Sequence, residues 1–268
     1  MFSEMKGKIV AITGGAAGIG RAMALEFAAA GADLAVCGRR NEKLLALAEE
    51  VKPFGVRIYH QVADVSKIDQ IENFVQGIVS NLGGLDVWIN NAGIDTPGLV
   101  GWQDVTETLW DEMMDIDLKA VFFGSQFAAR RMLEKGGVIL NISSFASLIP
   151  TAGRSVYACA KAAMNNLTKT LAAEMAPYNI RVVSLIPGYI KTEMTAEGVS
   201  TRFKELVSAI PAGRLGEVED LTKMAVFLCT QGAAYISGVN IEISGGKFAV
   251  QNPLWGWQQK EEKENKSG

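Results

Sequence analysis

The 268-residue chain has one histidine, His60, and only three cysteines, at positions 37, 159 and 229. A lone imidazole excludes a histidine-based catalytic triad and any multi-histidine metal site. The cysteines lie far apart and form no C-x-x-C pair, so neither a disulfide framework nor a thiolate zinc site is expected. That usage fits a reducing compartment and a cytoplasmic protein. No apolar run reaches the ~20 residues that cross a bilayer. The first strand starts near residue 8, which leaves no room for a signal peptide. With 26 basic and 29 acidic residues the net charge is -3. That balance makes no electrostatic case for nucleic acid or an anionic membrane.

What the chain does have is strand-like apolar runs alternating with helical patterns. Strands are expected at 8–13, 33–37, 57–63, 85–90, 138–142, 180–186 and 239–243. Helices are expected at 18–30, 41–51, 67–82, 107–133 and 155–176. Such alternation argues for parallel pairing through right-handed crossovers. The strands are apolar on both sides, as helices on both sheet faces require. The fold class is therefore α/β: a Rossmann-like three-layer α/β/α sandwich around a seven-stranded sheet, mostly or wholly parallel. No linker divides residues 1–247, which read as one domain with an inserted loop and short helix at 193–211. Residues 248–268 form an extension whose charged end, 258–268, is expected to be disordered.

Between the first strand and first helix the chain reads Thr13-Gly14-Gly15-Ala16-Ala17-Gly18-Ile19-Gly20. Glycines there permit a tight turn and a close approach of backbone to a diphosphate, which the helix N-terminus favours. Gly14, Ala17, Gly18, Ile19 and Gly20 are candidate cofactor contacts. The spacing G-x-x-x-G-x-G departs from the generic dinucleotide pattern. An acid that would hold an adenosine ribose is missing at the end of the second strand, where Arg39 and Arg40 stand instead. Two guanidinium groups suit a 2′-phosphate, so NADP(H) is favoured over NAD(H). Asp64 and Val65 follow the third strand as adenine contacts. Asn91, Ala92 and Gly93 follow the fourth, at the sheet edge where open α/β folds bind ligands.

Tyr157 and Lys161 are four apart on the expected helix 155–176 and share a face. A protonated lysine beside a phenol favours the phenolate, so the tyrosine pKa should fall. Tyr157 is then a candidate general acid/base, with Ser144 near enough in sequence to hold a substrate oxygen.

Taken together, residues 13–20, Asp64, Asn90 to Gly93, Ser144, Tyr157, Lys161 and the Pro187-Gly188-x-x-x-Thr192 segment resemble the short-chain dehydrogenase/reductase family over roughly residues 6–247. The resemblance implies that Tyr157 exchanges a proton with the substrate oxygen. It implies that Lys161 lowers the tyrosine pKa and holds the nicotinamide ribose, and that Ser144 orients the substrate. Pro187, Gly188, Ile190 and Thr192 then position the nicotinamide carboxamide. Asp117 stands where the family usually has an asparagine whose main-chain carbonyl serves a proton relay. That role survives the change, while a carboxylate adds negative charge near Lys161.

The implied activity is interconversion of a secondary alcohol and a ketone with NADP or NAD. Phe145, Tyr189 and Met194, with Leu99, Trp102, Leu148, Ile149 and Phe203, make a lipophilic set suited to a bulky, cyclic or steroid-like substrate. A 3-oxoacyl-acyl-carrier-protein reductase is an alternative, with Arg130, Arg131 and Lys169 as its basic patch. A sugar or polyol dehydrogenase is another, and a catalytically silent cofactor-binding scaffold is the reading from a different class. A homotetramer or homodimer is expected, with Trp255 and Trp257 at a subunit interface or packed within their own subunit.

Overall fold

The computed structural model describes residues 3–96, 98–193, 195–247, 249 and 252–267. Seven strands form one sheet: β1 (Ile9–Thr13), β2 (Asp33–Gly38), β3 (Ile58–Val62), β4 (Val87–Asn90), β5 (Gly137–Ile142), β6 (Ile180–Pro187) and β7 (Asn240–Ile243). Every pairing is parallel, in the order β3-β2-β1-β4-β5-β6-β7. Successive side chains of a strand point to opposite faces, and here both faces are apolar. Val10, Ile12, Leu34 and Val36 feed one core layer, while Ile9, Ala11, Ala35 and Cys37 feed the other.

Helices α1 (Gly18–Ala29), α2 (Asn41–Val51) and α8 (Glu219–Leu228) lend residues to the first layer. The second is filled from α3 (Ile68–Leu82), α5 (Ala120–Met132) and α6 (Ser155–Met175). Strand order reverses at β1, whose neighbours are β2 and β4. Ligand crevices open at the carboxyl ends of strands at such a point.

Three elements differ from expectation. The helix foreseen over 107–133 is α4 (Glu107–Met114) and α5 joined by a π-turn at Asp115–Lys119. Such turns insert a residue into an α-helix and tend to sit at functional sites; this one contains Asp117. The segment 193–211 carries a longer helix than foreseen, α7 (Ala196–Ser208), kinked at Arg202. Finally, the charged end is not disordered: Trp255–Ser267 forms α9. Its glutamines, lysines and glutamates are good helix formers, and Lys260 pairs with Glu264 one turn on, at 3.6 Å.

Candidate functional site

A buried polar network fixes the elements below the site. Asn90 at the end of β4 donates to Ser125 on α5 (2.9 Å) and to Asn141 on β5 (2.8 Å). Asn141 in turn donates to Thr168 on α6 at 2.9 Å. Trp88 completes the set by donating its indole N–H to Asn90. Every member is paired, as buried polar groups require, and both helices that flank the site are thereby tied to the sheet.

Above this network, at the carboxyl ends of the strands, lies a cavity of about 740 Å³. One end is the glycine turn. Gly14 has φ of +64°, and a Cβ there would sit 3.0 Å from the Ala92 backbone. Asn91 clamps the turn by donating its side-chain amide to the Thr13 and Gly14 carbonyls at 2.9 and 3.1 Å. Gly14, Ala17, Gly18, Ile19, Asn91, Ala92 and Gly93 all border the cavity, and Thr192 hangs over Gly18 from the far wall. Gly20 does not border it; pressed against the Gly14 carbonyl and the Asn91 amide, it packs α1 onto the turn.

Arg39, Arg40, Asp64 and Val65 form the wall past β2 and β3. Burial works against the Asp64 carboxylate, but hydrogen bonds from Ser66 and the charges of Arg39 and Lys67 hold its pKa below the ordinary value. Glu193, at the start of the segment 193–211, crosses the rim to Lys43 on α2 at 2.8 Å. No local pattern announces a pair 150 residues apart.

At the other end stand Tyr157, Lys161 and Asp117. The Lys161 ammonium lies 5.6 Å from the centre of the Tyr157 ring and 2.9 Å from Asp117 Oδ1. This ion pair is closed to solvent, with side chains 4% and 0% exposed. Asp117 Oδ2 accepts from the Ile94 N–H at 3.3 Å. Gly93 covers the pair so closely that a Cβ would lie 2.7 Å from Asp117 Oδ1. Burial opposes the Lys161 charge, but Asp117, Tyr157 and Asp95 outweigh it and raise its pKa. Burial likewise raises the Asp117 carboxyl above its ordinary value, despite Lys161.

The expected fall in the Tyr157 pKa is corrected. Burial of the phenol outweighs Lys161 and Ser144, and Asp117 and Asp95 add to it, so the pKa stands above 10.0. The Ser144 hydroxyl hydrogen-bonds Tyr157 and also accepts from the Ala146 N–H.

Ser144, Pro187, Gly188 and Ile190 do not border the cavity. Phe145 and Tyr189 pack together with ring centres 4.7 Å apart. Met194 lies outside the described residues. Leu99 and Trp102, foreseen inside a lipophilic pocket, stand 67% and 81% exposed. Arg154, one residue before α6, pairs with Asp95. Both fall in segments, 94–102 and 145–154, that the sequence offers as pocket lining, but their pairing is not announced there.

A cavity of this size, with a glycine turn and helix start at one end and a buried lysine and a tyrosine at the other, fits an extended dinucleotide. The profile of the family described as short chain dehydrogenase matches residues 8–202. The chain belongs to this family. It is therefore an oxidoreductase of a family that uses NAD(P) and small-molecule substrates.

Short-chain dehydrogenases similar to it include the 3-oxoacyl-acyl-carrier-protein reductase FabG of Aquifex aeolicus, 34% identical over 92% of this chain and 100% of that protein. The trans-4-hydroxycyclohexanecarboxylate dehydrogenase of Sinomonas cyclohexanicum is 38% identical over 91% of this chain and 94% of its own. A solved structure from Beutenbergia cavernae, described as an NAD(P)-dependent gluconate 5-dehydrogenase with NADP at low occupancy, superposes with a TM-score of 0.87. It is 31% identical and covers 93% of this chain and 100% of that one. No helix among the described residues is long and apolar enough to cross a membrane.

Proposed function

We propose that the chain interconverts a ketone and a secondary alcohol, working with NADP(H) in preference to NAD(H). The observation that carries this reading is the presence of Tyr157 and Lys161 at one end of a cavity whose other end carries Arg39 and Arg40, with Ser144 hydrogen-bonded to Tyr157 beside it. Bound nicotinamide supplies or accepts the hydride. The chain supplies the proton and the orientation. Ser144 holds the substrate oxygen, and the Tyr157 phenol gives its proton to that oxygen in reduction and takes it back in oxidation. Lys161 stays charged because Asp117 holds it, and it stabilises the phenolate left behind.

Arg39 and Arg40 are exposed on the rim with no acid at the end of β2, an arrangement suited to a 2′-phosphate. For the substrate we favour a carbonyl on an apolar body, of the oxoacyl or cyclic type that the relatives' names describe. Those names lend nothing to a steroid-like substrate. An acyl-carrier-linked substrate is the second reading; Arg130, Arg131 and Lys169, all exposed on α5 and α6, are its docking candidates.

A nicotinamide-absorbance assay with oxoacyl thioesters, cyclic ketones and sugars, run with both cofactors, tests the reading. NADPH-dependent turnover of the first two classes is expected. Tyr157→Phe should lower kcat by about 10²–10⁴-fold while cofactor binding stays intact. Replacing Arg39 and Arg40 by alanine should raise KM for NADPH by about tenfold or more and leave NADH nearly unchanged. Absence of turnover with either cofactor across the panel would sink the proposal.

A further inference from the structure

Tyr157 stands between two ion pairs. Lys161, four residues on, pairs with Asp117 on the π-turn. Arg154, three residues back, pairs with Asp95 on the loop after β4. Arg154 precedes α6 by one residue, but its carbonyl accepts from the Ala158 N–H at 2.9 Å, so Tyr157 lies within the turn that Arg154 opens. Ile94, the chain neighbour of Asp95, donates its N–H to Asp117 Oδ2 at 3.3 Å. The segment 94–95 is thus fastened to α6 on both sides of the tyrosine. One fastening runs through Asp117 and Lys161, the other through Asp95 and Arg154.

Three further contacts seat the outer pair. Asp95 Oδ1 accepts from the Thr96 N–H at 2.8 Å, while Oδ2 takes Arg154. The Val100 N–H donates to the Gly153 carbonyl at 2.9 Å. Gly153 has φ of +83°, and a Cβ there would lie 2.9 Å from Leu99 Cβ, so the loop rests on the turn before α6. The side chains of Asp95 and Arg154 are 20% and 33% exposed, and neither borders the large cavity. Burial is the largest influence on the Tyr157 phenol; Lys161 on its own helix lowers its pKa, while Asp117 and Asp95 raise it. A cation seated on Asp95 offsets part of that carboxylate's field.

We propose that Asp95 and Arg154 are positioning residues for the proton transfer: their pair holds the turn carrying Tyr157 against the loop after β4, and Arg154 shields the phenol from the Asp95 charge. The function proposed above enters only in taking Tyr157 as the proton-transfer group. Alcohol oxidation followed from neutral pH upward tests it. Asp95→Asn removes a charge that raises the phenol, so the alkaline-rising limb should move to lower pH. Arg154→Met leaves that charge uncovered, so the limb should move to higher pH, and the double variant should fall between the two. Both single variants lose the clasp and should lower kcat/KM about fivefold with the cofactor KM unchanged. Arg154→Lys should restore much of the rate and the position of the limb.

A clasp that is only structural would lower the rate in both single variants and move their limbs the same way or not at all; that result overturns the proposal. Asp95→Asn is nearly isosteric, so an unmoved limb in this variant alone also overturns it, whether or not Arg154→Met folds. If no alcohol or ketone turns over, the function proposed above fails. Ultraviolet titration of the Tyr157 phenol, taken as the difference from a Tyr157→Phe background, then still reads whether the two substitutions shift it in opposite directions.

Discussion

Asp117 is where one residue changes the chemistry of its neighbours. Its carboxylate is the partner of a lysine whose charge burial opposes. The Lys161 pKa in the fold stands above its ordinary 10.5, so the stability it contributes is whole below pH 10.5 and declines only as pH rises through the folded value. In Asp117→Asn burial is left as the largest influence, and that decline should begin at lower pH. Denaturant midpoints measured from neutral pH upward should show it, with a loss of about 3 kcal/mol where Lys161 remains charged. Removing the negative charge also removes one cause of the raised Tyr157 pKa. The alkaline-rising limb of alcohol oxidation should therefore move to lower pH; an unchanged pH–rate profile would show that the Asp117 charge does not reach Tyr157. The place of Asp117, and a carboxylate near Lys161, were legible in the sequence as a departure at a known position; the closed 2.9 Å contact between the two was not. That contact depends on a π-turn, which no local residue pattern announces. The direction of the Tyr157 shift was misread for a related reason: the lysine is visible in the sequence, whereas the depth of burial is not.

Among the elements, strands and most helices were legible because a buried parallel sheet demands continuous apolar runs closed by glycine or asparagine. Lys8 to Thr13 and its glycines are an example. The C-terminal helix was misjudged because its charged composition reads equally as a solvated tail; pairs such as Lys260 with Glu264, four apart, add to its helical side. Its first turn has a task on the loop after α7. Trp257 donates its indole N–H to the Pro211 carbonyl at 2.8 Å, and its ring lies over Gly213. We expect Trp257→Ala to loosen that loop by about 1 kcal/mol. Hydrogen exchange should quicken at residues 210–216 while β1 amides stay protected. Equal exchange at both places would mean that α9 rests on the loop without holding it.

At the scale of the whole molecule, Trp255 and Trp257 remain 59% and 47% exposed on a single chain. Aromatic surface of that kind favours a subunit contact. In a homotetramer or homodimer built through it, truncation after Lys247 should give a smaller species in sedimentation velocity. An unchanged sedimentation coefficient would confine the segment to its own subunit. The strand order has a further consequence, for the time at which the molecule becomes competent. A ribosome makes β1 first, yet β1 is the middle of the sheet and receives β4 only after residue 90 has emerged. Until Asn91 arrives, the nucleotide turn lacks the two hydrogen bonds that hold Thr13 and Gly14. Lys161 and the Thr192 wall come later still. A nascent chain thus carries the motif long before it owns the site, and the last third of synthesis, not the first, makes it a dehydrogenase.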